Sequence, residues 1–172
     1  MISYWYKFIK VFLLRKYKKH IEFNESITRV FRVRLFDCDL LGNMAAFKYP
    51  SYMDLIRWEL IVRSSFLKAS KNNKMAFVVA SQKIIYQKPL KVWSKFELAM
   101  EFGGWDEKWV YHIYKFKQNN QLKAIGVTRI FLRKKDIPDL SNKMVNKTNN
   151  LKKLPPEWII ELFSEDKEIL KT

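Results

Sequence analysis

The chain has 172 residues, and 48% of them are hydrophobic, which is enough apolar material for one compact domain and excludes an intrinsically disordered chain. It carries 33 Lys and Arg against 17 Asp and Glu, and the resulting net charge of +16 indicates an anionic partner without identifying it. The single cysteine, Cys38, excludes a disulfide scaffold, and the presence of only two histidines argues against a histidine-based metal site. We therefore expect a cytoplasmic, single-domain protein.

Residues 1–24 form a basic segment ahead of the predicted domain. On a helical wheel Lys7, Lys10 and Lys18 fall opposite an apolar face made of Ile2, Trp5, Ile9, Phe12 and Leu13. The sequence contains no run of about 18 apolar residues, so we expect no membrane-spanning helix. Two interpretations stay open: residues 1–19 lie peripherally on an anionic membrane, or the face packs on the protein itself or on another subunit.

Residues 25–135 are predicted to form the domain, beginning with a strand at residues 29–36, where apolar and basic side chains alternate. Polar turn residues follow at 37–43. From Phe47 to Leu67 the apolar residues recur at spacings of three, four and seven, which predicts a helix ending near residues 70–73. Pro50 suits the first turn of such a helix.

Four further strands are predicted at residues 75–87, 92–102, 109–117 and 122–133, with turns at 88–89, 103–106 and 119–120. Their order predicts an antiparallel meander. Both faces of its strands are apolar and one long helix covers only one face, so we expect a homodimer or a tetramer. A polar, solvated loop is predicted at residues 134–154, and a short helix follows it from Pro155 to Leu162. Residues 136–172, the C-terminal part of the chain, therefore comprise most of this loop and the helix.

Several motifs in the middle of the chain occur together. Residues 37–49 read DCDLLGNMAAFKY, the helix continues with Tyr52, Asp54 and Arg57, residues 86–90 read YQKPL, and residues 103–106 read GGWD. Over residues 28–133 this pattern resembles the hotdog-fold acyl-CoA thioesterases of the 4-hydroxybenzoyl-CoA thioesterase type. The chain departs from that family's Gly-His-hydrophobic-Asn-Asn motif at Asn43, Ala45 and Ala46.

The resemblance implies an α+β hotdog fold, in which an antiparallel five-stranded sheet wraps around one long central helix. This chain adds an N-terminal amphipathic helix and a short C-terminal helix. The implied activity is hydrolysis of an acyl-CoA thioester to a free acid and CoA, with no cofactor and no metal. Asp39 would be the base or the nucleophile, and backbone N–H groups from Asn43 to Phe47 would polarise the carbonyl.

The substrate-binding candidates that follow from the resemblance are Gly42, Asn43, Met44, Phe47 and Tyr49, and basic residues that would suit the phosphates of CoA add Lys88 and Arg129. Because aspartate often caps turns, a purely structural role for Asp39 is the alternative to catalysis. Asp54 on the predicted helix is the alternative catalytic residue.

Two other functions remain to be considered. The changes at Asn43, Ala45 and Ala46 fit a hotdog protein that binds an acyl thioester or a lipid at a membrane surface without hydrolysing it. Nucleic-acid binding would account for the charge and for the aromatic residues on strands. The sequence nevertheless lacks helix-turn-helix spacing, a glycine-rich aromatic strand motif and zinc ligands, so nucleic acid is not the expected partner.

Overall fold

A five-stranded antiparallel sheet is the main element of the fold. The computed structural model describes residues 2–14, 18–22, 24–64, 66, 75–106, 108–134 and 154–166. The strands are β1 (Ile27–Arg32), β2 (Met75–Tyr86), β3 (Lys95–Trp105), β4 (Trp109–Gln118) and β5 (Gln121–Lys134), and their order in the sheet is β1-β3-β4-β5-β2. The helices are α1 (Ile2–Leu14), α2 (Lys48–Arg63) and α3 (Glu157–Leu162).

The connection between β2 and β3 crosses over and does not form a hairpin. β2 pairs with β5, so the predicted meander of four consecutive strands is wrong, and only β3, β4 and β5 follow one another. The reason lies in residues 87–94, which pair with the segment around β1. Met44 N donates to Leu90 O at 2.7 Å, and Trp93 N donates to Val33 O at 2.9 Å. This path brings residues 88–90 next to the turn that follows β1.

Helix α2 covers one face of the sheet, as its apolar spacing predicts. Met53, Ile56 and Leu60 are buried against inward-facing residues of the sheet, which include Phe96, Leu98, Met100, Tyr114 and Phe116. A Cβ added to Gly126 would lie 2.7 Å from Met53 Sδ, so the missing side chain lets the helix approach β5 closely. The helix ends at Arg63 and not near residues 70–73, which lie outside the described residues.

Helix α3 covers part of the other face. Ile159 and Phe163 are buried against Tyr111 and Ile113 of β4 and Val127 of β5. The expectation that a second subunit covers this face is therefore wrong where α3 packs, because α3 itself covers the sheet there. The predicted short C-terminal helix is confirmed, whereas residues 135–153 of the predicted loop lie outside the described residues.

Two boundaries differ from those expected. The first strand ends at Arg32, because Leu35–Asp37 turn into a single 3-10 helix. Gly103–Trp105 continue β3 past an irregular register and do not form a turn. The turn lies at Asp106, whose Oδ1 accepts hydrogen bonds from the backbone N–H groups of Lys108 and Trp109. Together the sheet and its central helix confirm the α+β hotdog architecture.

Helix α1 lies along α2. Phe8 and Phe12 pack around Trp58, and Val11 is buried with Leu55 and Val62 of α2. The predicted apolar face is thus divided: Phe12 is partly buried, whereas other members of the face, namely Trp5, Ile9 and Leu13, are exposed. Among the described residues, no helix is both long enough and apolar enough to cross a bilayer.

Candidate active site

Asp39 closes a tight turn after β1 with one of its two carboxylate oxygens. Its Oδ1 accepts hydrogen bonds from Leu41 N at 2.9 Å and Asn43 N at 3.1 Å, and its own N–H donates to Asn43 O. No donor among the described residues reaches Oδ2. The capping role and a chemical role are therefore compatible, since each uses a different oxygen of the same exposed side chain.

Gly42 is required by the shape of this turn. Its φ is +72°, in the left-handed region that glycine adopts without strain. A Cβ at this position would be 3.9 Å from its nearest neighbour, Val92 Cγ1, so steric crowding within the chain is not the reason for glycine. Gly42 shapes the loop that presents Asp39.

Asp37 is buried and holds three parts of the chain together beneath the turn. Its Oδ2 accepts hydrogen bonds from Tyr52 OH of α2 at 2.8 Å and from Arg34 N at 3.2 Å. Its Oδ1 lies 3.1 Å from Lys48 Nζ at the start of α2. Lys7 of α1 donates to Tyr52 OH at 2.8 Å and lies 3.9 Å from Oδ2.

The charge of Asp37 is stabilised by these partners. Burial acts to raise the pKa of the carboxyl, but hydrogen bonds from Tyr52 and Lys48 and the charge of Lys7 outweigh it and hold the pKa below its ordinary value. Sequence reasoning missed this cluster, because nothing in the spacing of Lys7 and Asp37 along the chain shows that they meet. The available signal was an aspartate directly after a strand with apolar residues, because a carboxylate that becomes buried there needs a partner.

A cavity of about 310 Å³ opens beside Asp39. It is lined by residues from the turn, the start of α2 and the end of β2, which are Asp39, Asn43, Met44, Ala46, Tyr49, Tyr86, Gln87, Lys88 and Pro89. The rings of Tyr49 and Tyr86 meet edge to face at 4.9 Å, and Tyr86 OH donates to Ala46 O at 3.4 Å. Burial raises the pKa of Tyr49 to about 12, so its hydroxyl is neutral at physiological pH.

Two backbone donors lie just before α2, and one of them belongs to Ala46, which lines this cavity. The N–H groups of Asn43, Met44 and Ala45 are already bound to Asp39 Oδ1, Leu90 O and Asp37 O, respectively. Among the described residues, no acceptor is assigned to the N–H groups of Ala46 and Phe47. Of the backbone donors expected from Asn43 to Phe47, only the N–H groups of Ala46 and Phe47 therefore remain as candidates. Both lie at the positive end of the helix dipole.

The structure brings most, but not all, of the expected site residues together. Asn43, Met44, Tyr49 and Lys88 line the cavity with Asp39, and Gly42 lies in the same turn. Phe47 is exposed immediately before α2 and does not line the cavity. Tyr86, Gln87 and Pro89 are additional lining residues, and the YQKPL motif was the signal that pointed to them.

Arg129 and Asp54 lie elsewhere. Arg129 is on the α3 side of the sheet, where it donates to Asp166 at 3.0 Å and its guanidinium lies over the ring of Trp109. Arg129 therefore lies outside the candidate site. Asp54 forms an ion pair with Arg57 one helical turn away and does not line the cavity.

Comparison with known proteins identifies related folds. A family model described as the thioesterase-like superfamily matches residues 33–158. No curated protein sequence matches the chain significantly. The probable thioesterase YbaW from Escherichia coli superposes with a TM-score of 0.66 at 15% identity, over 74% of this chain and 99% of its own.

Two further structures show the same likeness. A 1,4-dihydroxy-2-naphthoyl-CoA thioesterase from Synechocystis gives a TM-score of 0.58 at 14% identity, over 76% of this chain and 100% of its own. A Staphylococcus aureus protein solved in complex with CoA gives a TM-score of 0.59 at 13% identity, over 79% of this chain and 92% of its own. At these identities the likeness concerns the fold alone.

Proposed function

Because the chain belongs to the thioesterase-like superfamily, we propose that it hydrolyses an acyl-CoA thioester to a free acid and CoA. One observation carries the proposal. Among the described residues no donor reaches Asp39 Oδ2, which lies at the edge of a cavity, and the N–H groups of Ala46 and Phe47 lie just before the N-terminal end of α2. A carboxylate and a pair of fixed donors are the groups that acyl transfer from sulfur to oxygen requires.

In the proposed reaction Asp39 Oδ2 is the reactive oxygen, and two routes are open to it. As a base, it takes a proton from water while the water oxygen attacks the thioester carbon. The C–S bond then breaks and the proton passes to the CoA sulfur. As a nucleophile, it forms an acyl anhydride with loss of the thiolate, and water then cleaves that anhydride. In both routes the N–H groups of Ala46 and Phe47 donate to the oxyanion.

The remaining lining residues fit the two ends of such a substrate. Met44, Tyr49 and Tyr86 offer apolar surface for an acyl group. Lys88 is exposed at the rim and supplies a positive charge for the phosphates of CoA. The CoA bound to the Staphylococcus aureus neighbour supports this choice of substrate class.

The test is a panel of acyl-CoAs of different chain length, assayed with a free-thiol reagent. Asp39→Asn keeps the turn hydrogen bonds but has no basic or nucleophilic oxygen, so we expect kcat to fall on the order of 10²–10⁴-fold while acyl-CoA binding and folding persist. Asp54→Asn is the control and should retain activity within about threefold. Activity that survives in the first variant and is lost in the second would transfer the chemistry to α2.

A non-hydrolytic binder is the second candidate function. It is favoured by one observation, since Ala46 lines the cavity with a methyl group where the related motif has a polar asparagine. In that case the unmutated protein binds acyl-CoA in a direct binding assay but releases no thiol from any member of the panel.

A further inference from the structure

A second cavity of about 310 Å³ lies between α1 and β1, away from the turn of Asp39. Its polar lining contains six basic side chains and one acid, which are Lys7, Lys10, Lys18, Arg29, Arg32, Arg34 and Glu59. The other lining residues are mostly apolar and include Val11, Phe31 and Leu55. We refer to this cavity as the basic groove.

Only part of this positive charge is neutralised within the protein. Glu59 is buried and is shared by Lys18, Arg29 and Arg63. Lys7 is directed toward Tyr52 and Asp37. Burial lowers the pKa of Lys7, and the nearby charges of Arg34 and Lys48 act in the same direction, against the opposing charge of Asp37.

Three cations of the basic groove are available to a ligand. Lys10, Arg32 and Arg34 are exposed, and within the described residues none of them forms an ion pair. Arg32 is the last residue of β1, Arg34 lies two residues beyond it, and Lys10 lines the same cavity from α1. Such a set fits an anionic group that carries phosphate.

An exposed apolar stripe runs along α1 next to the basic groove. Trp5, Ile9 and Leu13 are 56%, 53% and 69% exposed, and Tyr6, which lines the groove, is exposed as well. A different side of α1 is occupied by its contacts with α2. Apolar side chains at the level of the acyl chains, with cations at the level of the phosphates, are typical of a helix lying in a membrane interface.

We propose that the basic groove binds the headgroup phosphate of an anionic phospholipid while Trp5, Ile9 and Leu13 enter the membrane surface. Lys10, Arg32 and Arg34 are complementary in charge to the headgroup phosphate. The exposed apolar stripe favours a phospholipid over other anionic partners. A nucleic acid would contact the cations and leave three large apolar side chains in water, whereas a phospholipid surface accommodates both.

The test measures sedimentation of the full-length protein with vesicles of equal parts phosphatidylcholine and phosphatidylserine, and with phosphatidylcholine alone. The double variant Lys10→Gln and Arg34→Gln should reduce partition to the anionic vesicles at least about tenfold, since each cation near such a surface contributes roughly a fivefold gain. The matched control, Lys108→Gln and Lys123→Gln, removes the same charge elsewhere and should change partition less than about threefold. Equal losses in both would mean that net charge alone attracts the protein and would overturn the proposal.

A second matched pair of variants tests the apolar stripe. Ile9 on α1 and Ile160 on α3 are 53% and 51% exposed, so Ile9→Ala and Ile160→Ala remove similar exposed surface. Only Ile9→Ala should weaken vesicle partition. Complete release of the protein by millimolar inorganic phosphate, or groove-dependent retention on duplex DNA at physiological salt without vesicle binding, would contradict the proposal.

Discussion

The two aspartates of the Asp-x-Asp pair differ in environment although one residue separates them. Asp37 is buried and its oxygens are bound by Tyr52, Lys48 and the backbone of Arg34. Asp39 is exposed, and within the part of the chain that the structure describes only its Oδ1 is bound. The first therefore holds the loop in place, and the second is the residue available for chemistry.

Asp37→Asn should destabilise the fold in a pH-dependent manner. At pH 7 we expect the free energy of unfolding to fall by about 2–3 kcal/mol, because charge-assisted hydrogen bonds are lost in a buried position. The folded-state pKa of Asp37 lies below its ordinary value, so the carboxylate contributes stability above about pH 4, and this contribution is lost as pH falls through the folded-state pKa. Urea denaturation at several pH values measures both effects.

The difference in stability between the wild-type protein and Asp37→Asn should therefore be constant at neutral pH and should shrink below about pH 4. Glu22→Gln is the control, because Glu22 is exposed and should change stability by less than about 0.5 kcal/mol. A difference that stays the same down to low pH would show that Asp37 is not ionised in the folded protein.

At the scale of elements, α1 has two faces with different environments. One face packs on α2 through Phe8, Val11 and Phe12, so α1 is part of the folded domain and not a separable tail. Lys7 also links α1 to Tyr52 and Asp37 beneath the candidate active site. The other face is apolar and exposed. The two interpretations of residues 1–19 are thus compatible, because they use different sides of the same helix.

Neighbouring residues on α1 should separate these roles. Phe8→Ala removes packing against Trp58 and should lower the free energy of unfolding by about 2 kcal/mol. Ile9→Ala removes an exposed side chain and should change stability by less than about 0.5 kcal/mol. Thermal unfolding followed by circular dichroism compares the two. Similar destabilisation by both substitutions would mean that α1 packs in another orientation.

At the scale of the whole molecule, β2 is one of the two edge strands of the sheet. It is twelve residues long, and no strand among the described residues pairs with its outer side. Val78, Val79 and Ile85 of this strand are exposed. A long apolar edge favours pairing with another chain, so we propose that two copies associate through β2.

Light scattering should accordingly give a mass near twice the 20.8 kDa of one chain. Val79→Lys places a charge on the β2 edge and should shift the mass toward that of the monomer. Val30→Lys makes the same change on the opposite edge strand and should leave the mass unaltered. A monomeric wild-type protein at micromolar concentration would exclude this association.

The sequence by itself determined the elements that depend on local spacing. The period of apolar residues located α2, alternation located β1, and Asn119-Asn120 marked a hairpin turn that the positive φ of both residues confirms. The Asp-x-Asp-x-x-Gly motif located the turn of Asp39 for the same reason. Its hydrogen bonds join residues only two to four positions apart.

Only the tertiary structure decided which distant segments meet. Several contacts join residues far apart in the chain: β2 pairs with β5, α3 packs on the sheet, and Lys7 contacts Tyr52. The hydrogen bond from Arg129 to Asp166, which lies outside the site, is another. Local propensity does not encode such contacts, because each depends on the path of the intervening chain and on which surfaces burial can match. The basic groove arises in the same way, since its cations come from α1, from β1 and from the segments that follow each of them, and these parts become neighbours only when α1 packs on α2.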